Sequence, residues 1–196
     1  MKTIMMTTLA MASGLVLEAQ TTWKIDPTHS SVNFSATHML ISQVEGSIKK
    51  FDAKISTTGN EFDNASVEMT LDVNSLTTNN EMRDNHLKGD DFFNAEKFPN
   101  MKFKATSMRN TGGKTYKLTG DLTIRDVTKP VDLIVIWGGT IKDPYGNTRS
   151  GFQITGAINR FDYGLKWSAL LESGGAVVGE IITFTSNIEL IQEKVN

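Results

Sequence analysis

The chain has 196 residues, a formal net charge of −2 and no cysteine. That length suits one domain, and the balanced charge provides no global basic field, which argues against nucleic acid as the main partner. Without cysteine there can be no disulfide, thiolate metal site, cysteine nucleophile or lipidated N-terminal cysteine.

The chain opens MKTIMMTTLAMASGLVLEAQ, with Lys2 ahead of a mildly apolar run over residues 4–17. That run is too short to span a membrane and suits the hydrophobic region of a signal peptide, with Ala19 just before the cleavage point. The expected division is a signal peptide over 1–19 and one folded domain over 20–196. The expected location is therefore periplasmic or secreted.

From Gln20 onward the apolar period is two. Val32, Phe34 and Ala36 alternate with Asn33 and Ser35, and Val67, Met69, Leu71 and Val73 alternate with Glu68, Thr70, Asp72 and Asn74. The pattern continues through Met101, Phe103 and Ala105, through Tyr116, Leu118, Leu122 and Ile124, and through Phe152, Ile154 and Ile158. It ends with Ile182, Phe184, Ile188 and Leu190. Strands wet on one face and buried on the other read this way. Turn signals at Thr58-Gly59-Asn60, Thr111-Gly112-Gly113 and Asp143-Pro144-Tyr145-Gly146-Asn147 separate the runs. About eight strands joined by hairpin turns predict an antiparallel sandwich or barrel.

Two places break the period. Apolar parity flips between Val44-Gly46-Ile48 and Phe51-Ala53-Ile55, which predicts a bulge or bend near Lys49-Lys50. The second break is RDNHLKGDDFFNAEKFPNMKF, residues 83–103. Thr78-Asn79-Asn80-Glu81 just ahead of it has the form of a capping box, with Thr78 as N-cap. A short helix is expected from there to about Lys88, stopped by Gly89. So dense a helix-and-aromatic insert between strands suggests a barrel with a ligand site at its mouth. In VDLIVIW, residues 131–137, Ile134 and Ile136 are apolar on the face opposite Val131, Leu133, Val135 and Trp137. That outer face is either a small cluster under a loop, or a homodimer or membrane contact.

Little in the sequence points to catalysis. His29, His38 and His86 lack short ligand spacing, so no metal site is expected, and no cofactor motif is present. Gly174-Gly175-Ala176 lacks the Lys-Ser/Thr of a phosphate loop and reads as turn chemistry. Asp90-Asp91, at the C-terminal side of the helix, opposes its dipole and reads as a solvated pair, with Lys88, Lys97 or Arg83 as counterions. Glu180 either points inward toward Arg125 or Arg160, or lies solvated at a rim. The candidate apolar lining is Phe34, Met69, Leu71, Phe92, Phe93, Phe103, Leu122, Trp137, Phe152, Trp167 and Phe184. An eight-stranded barrel is of a size either to be filled by such residues or to hold one small ligand.

Several blocks, in order, resemble the YceI family of exported bacterial proteins. They are WKIDPTHSSVNF, RDNHLKGDDFFNAEKFP, GDLTIRDVTKPV, GFQITGAINRFDYGL and VVGEIITFTSNIEL. The resemblance runs from about Trp23 to Leu190. It implies an all-β fold, an extended eight-stranded antiparallel barrel of lipocalin type with a short helix inserted between strands. It also implies non-catalytic binding, carriage or sequestration of an isoprenoid or other long-chain lipid, such as an isoprenoid quinone. Arg83 and Lys88 on the insert are the candidates for its polar head group, and transient membrane contact would fit such a cargo. The alternatives are a partner-binding or structural barrel with a filled core, and an enzyme acting on an isoprenoid lipid.

Overall fold

The computed structural model of the protein describes residues 20–58, 61–172 and 174–194. The expected signal peptide and the turn at Gly59-Asn60 lie outside the described residues. In chain order the elements are β1 (Gln20–Ile25), β2 (Ser31–His38), β3 (Ser42–Ile48), β4 (Phe51–Thr58), β5 (Glu61–Asp72), β6 (Leu76–Thr77) and helix α1 (Glu81–Lys88). They continue with β7 (Asn100–Gly112), β8 (Thr115–Ile124), β9 (Val127–Lys142), β10 (Thr148–Asn159) and β11 (Val178–Gln192).

These segments form eight barrel strands, because three strands are broken in the middle. β1 and β2 are successive halves of one strand, both antiparallel to β11: Ile25 pairs with Leu190 and Ser31 with Asn187. β3 and β4 together pair with that strand, and β5 and β6 pair with β4 and β3 in turn. The rest follows as a meander through β7, β8, β9 and β10 to β11. Pairing of β11 with β1 and β2 closes the barrel, which removes exposed sheet edges.

The breaks fall side by side. Lys49-Lys50 separates β3 from β4, where parity predicted it, and a 3-10 turn at Val73–Ser75 separates β5 from β6. The two are tied together: Lys49 N–H donates to the Ser75 carbonyl (3.2 Å), Lys50 N–H to Ser75 Oγ (2.8 Å), and Asp72 N–H to the Lys50 carbonyl (2.9 Å). A corner in adjacent strands lets the wall bend without leaving backbone groups unpaired.

The break between β1 and β2 is pinned on the outer wall by charge. Arg149 donates from Nη1 to Asp26 (2.6 Å) and Glu189 (2.6 Å), and from Nε to Asp143 (2.7 Å) in the β9–β10 hairpin. Asp26, 6 % exposed, also accepts from the Thr28 hydroxyl (2.6 Å) and is paired with His29 (2.9 Å). The Thr28 hydroxyl first, then His29 and Arg149, hold its carboxyl well below the usual range. Arg149 does the same for Asp143. Asp26, His29 and Glu189 lie close enough together to share a cation, and the Arg149 guanidinium supplies that charge.

Carboxylates with depressed folded pKa values stabilise the fold fully above the ordinary carboxylate range, about pH 4, and lose that contribution as pH falls below it and through their own depressed values. Replacing Arg149 by Met should lower the melting temperature by about 5 °C at pH 7. The gap between variant and parent should narrow toward about pH 2, because the carboxylates then approach protonation in the folded state as well. Melting curves at the two pH values check this, and an equal deficit at both would contradict it.

Candidate functional site

Inward side chains divide the barrel into a plugged end and an open end. At the plugged end Phe62 packs on Trp23 (ring centroids 5.2 Å apart), on Phe152 edge-to-face (4.7 Å) and on Trp137 (6.5 Å). Both indoles keep a partner: Trp23 Nε1 donates to Thr57 Oγ1 (3.1 Å) and Trp137 Nε1 to Ser150 Oγ (2.9 Å). Met108 and Tyr116 belong to the same buried cluster.

Beyond the plug lies an apolar cavity of about 390 Å³. Its wall runs from Leu118, Leu133 and Ile188 out to Ala36, Val44 and Val178. Along β11 that is Val178 to Ile188, roughly 25 Å of axial depth for a tilted strand. At about 24 cal/mol per Å³, an apolar void of this size forgoes at most ~9 kcal/mol of packing. An apolar occupant would recover part of it.

Three glycines keep this cavity open. Phe34 pairs across the sheet with Gly46, Phe184 with Gly156, and Phe103 lies diagonal to Gly120, whose partner is Ala105. A Cβ on Gly46, Gly120 or Gly156 would overlap the ring of Phe34, Phe103 or Phe184 respectively. Each phenylalanine therefore lies against the wall in space that a side chain opposite would take. The rings line the bore instead of filling it.

The open end is framed by the β2–β3 hairpin, α1 and its following segment, the Arg125-Asp126 turn, and residues 160–172 and 174–177. Asn80 is the N-cap of α1, its side chain accepting from Arg83 N–H (3.0 Å). Thr78 does not cap the helix as the capping-box pattern suggested. It is buried, and its hydroxyl and N–H donate to Asp84 (2.6 and 2.7 Å), a partner the local pattern does not include. Gly89 ends the helix as expected, but with extended backbone. Asp90 lies 3.6 Å from Arg125, and Asp91 pairs with His86 (3.0 Å), so neither uses the counterions foreseen. Glu180 is exposed and accepts from Asn159 Nδ2.

Of the predicted lining, Phe34, Met69, Leu71, Phe92, Phe93, Phe103, Leu122, Trp167 and Phe184 surround the cavity. Trp137 and Phe152 do not, since they belong to the plug. His86, Phe92 and Trp167 form an aromatic rim, with His86 edge-on to both rings (5.1 and 5.4 Å). Arg83 lines the cavity and Lys88 does not. The Arg83 side chain donates from Nε to Thr78 Oγ1 (2.7 Å) and from Nη2 to the Thr78 carbonyl (3.0 Å). The histidines do not converge: His29 is on the outer wall with Asp26, while His38 and His86 line the cavity.

Arg160 is the lining residue that sequence reasoning placed least well. It is 2 % exposed and follows β10, where it extends the inward parity of Ile154, Gly156 and Ile158. That parity was the available signal. Its guanidinium donates to the carbonyls of Gly179 (2.9 Å), Leu165 (2.6 Å), Trp167 (2.7 Å) and Val178 (3.2 Å), and stacks on Phe161 at 4.2 Å. Burial lowers its pKa from the ordinary arginine value. Tyr163 Oη is the buried side-chain polar atom without a hydrogen-bond partner among the described residues. It sits in the second core cluster, and burial pushes its pKa up to about 12.

The model of the YceI-like domain matches residues 23–190. The chain belongs to the YceI family. A UPF0312 protein of Staphylococcus aureus strain N315 is 35% identical over 170 residues, 86% of this chain and 96% of that one. The Campylobacter jejuni YCEI protein superposes with a TM-score of 0.71 at 30% identity, covering 81% of this chain and 90% of that one. Two structures show likeness of fold alone. BcnA of Burkholderia cenocepacia has a TM-score of 0.73 at 22% identity, with 84% and 98% of the two chains covered. A polyisoprenoid binding domain from Saccharophagus degradans, implicated in plant cell wall breakdown, has 0.66 at 15%, with 87% and 98% covered.

If glycine sets the bore in this YceI barrel, Gly46→Ala should force the Phe34 ring into the cavity. Overpacking of this kind typically costs about 1–3 kcal/mol. Affinity for a long-chain polyprenol, read by native mass spectrometry, should fall at least tenfold, and adding Phe34→Leu should restore most of it. An unchanged affinity in the single variant would contradict the role given to Gly46.

Proposed function

We propose that this protein binds a long-chain apolar lipid, an isoprenoid or similar amphiphile, inside the barrel and carries or sequesters it without chemical conversion. The observation that carries the reading is the deep apolar cavity, open at one end and plugged at the other. Each buried CH₂ contributes roughly 0.8 kcal/mol, so a flexible chain gains affinity along the whole wall with few directional contacts. The fold shared with a polyisoprenoid binding domain supports the same class of ligand. We propose a periplasmic or secreted location for this activity, which the apolar run over residues 4–17 supports.

Membrane contact at the mouth fits the cargo. Met39, Leu40 and Ile41 at the tip of the β2–β3 hairpin are 40%, 64% and 86% exposed, and Leu170 on the neighbouring loop is 79% exposed. Met39 and Leu40 both hold positive φ (50° and 65°), a conformation that costs ordinary side chains energy. Main chain and side chain link the tip to that loop: Met39 N–H donates to the Val177 carbonyl (2.8 Å), and a Cβ on Gly175 would touch Leu40. Apolar tips beside the opening of an apolar cavity give a lipid a dry path between bilayer and barrel.

Protein purified gently from its own host should release a long-chain lipid on solvent extraction. Leu133→Trp, which fills the cavity, should cut bound lipid at least tenfold while the melting temperature stays within a few degrees. A lipid-free parent that also ignores added polyprenol, quinone and fatty acid would overturn the reading. In transfer assays, Leu40→Asp with Ile41→Asp should slow delivery of bound lipid to vesicles at least fivefold. An unchanged rate would remove the membrane contact.

A further inference from the structure

The cavity wall is apolar along most of its length, yet its charged members are all of one sign. Arg83 and Arg160 line it, with His38 and His86 as further nitrogen groups, and no Asp or Glu is among the described lining residues. Trp167 joins two of them at the mouth. The Trp167 ring lies edge-on to His86 (5.4 Å), and its carbonyl accepts from Arg160 Nη1 (2.7 Å). Arg160 Nη2 donates to the Val178 carbonyl (3.2 Å), and Val178 pairs with His38 across the sheet. Arg83 stands three residues before His86 on α1, on the same face of the helix.

Arg160 is unusual among them. Four of its five N–H groups are spent on neutral carbonyls, and no carboxylate lies within ion-pair distance among the described residues. Glu180 acts on it only from beyond contact, so this buried cation bonded to neutral dipoles is incompletely compensated, which is expensive in a low-dielectric wall. An arriving anion would relieve that cost and meet the remaining Nη2 hydrogen. Arg83 adds donors on its own guanidinium, since only Nε and one Nη2 hydrogen are taken up by Thr78.

We propose that the cavity mouth is a subsite for an anionic oxygen head group, a carboxylate or phosphate, whose apolar chain runs down the barrel toward Leu118 and Leu133. Arg160 and Arg83 hold the head, and the His86–Trp167 rim covers it. The assignment rests on the lipid-binding reading above and narrows it, favouring an acidic amphiphile over a neutral one of equal length.

The test compares heads on matched chains, using delipidated full-length protein. Oleate is set against oleyl alcohol, and a polyprenyl phosphate against the corresponding polyprenol, by calorimetry or native mass spectrometry. At least one anion should bind ten or more times tighter than its alcohol. Preference for oleate alone or for the phosphate alone supports the subsite and identifies its source. Arg83→Gln should shrink the anion-to-alcohol ratio at least threefold, and this variant leaves the carbonyl bonds of Arg160 in place. If each anion and its alcohol bind within twofold of one another, the head-group subsite is wrong while the lipid cavity stands. If none of the four binds, both fall.

Discussion

The open barrel depends on three phenylalanine rings lying over glycine. In an eight-stranded barrel, inward side chains are able to fill the interior completely, and close packing would ordinarily favour that outcome. Phe34, Phe103 and Phe184 are large enough to fill it here. With glycine on the adjacent strand, each ring settles against the wall, its outer carbons in the space a Cβ would take. The cavity is therefore built into the sheet and exists before any ligand arrives. Glycine costs strand stability through backbone entropy, and the ring covering it offsets part of that loss.

The two ends of the barrel divide the labour. The plug of Trp23, Phe62, Trp137 and Phe152 supplies ordinary core packing, with its indole N–H groups satisfied by Thr57 and Ser150. It supports the region where β11 pairs with β1, and the Arg149 network pins the outer wall beside it. Stability concentrated there leaves the other end free to hold a void. The broken strands bend the wall at Lys49-Lys50 and at Val73–Ser75, just where the insert leaves the sheet. α1 and the aromatic residues after it then fold over the opening instead of extending away from it.

Much of this was legible in the sequence, because period two reports which way a side chain faces. The parity flip at Lys49-Lys50 marked a real corner, and the insert could be seen as a helix ending at Gly89. Parity does not report depth along the axis. Trp137 and Phe152 face inward as predicted but sit in the plug, and depth depends on hairpin lengths and on bulges such as the one between Gly151 and Phe152. The cap of α1 was misplaced because Thr78 finds a tertiary partner, Asp84, that no local motif includes. The glycines that hold the bore and the arginine at its mouth share inward parity with apolar neighbours. They were readable, but such positions attract attention only when the side chain there is large and apolar.

The central claim is that the bore is preformed by glycine-backed rings. A crystal structure of the protein after exhaustive lipid extraction tests it most directly. The account predicts an open cavity, with Phe34, Phe103 and Phe184 still lying over Gly46, Gly120 and Gly156. Rings swung inward to fill the empty barrel would contradict it, and would make the cavity a product of the ligand.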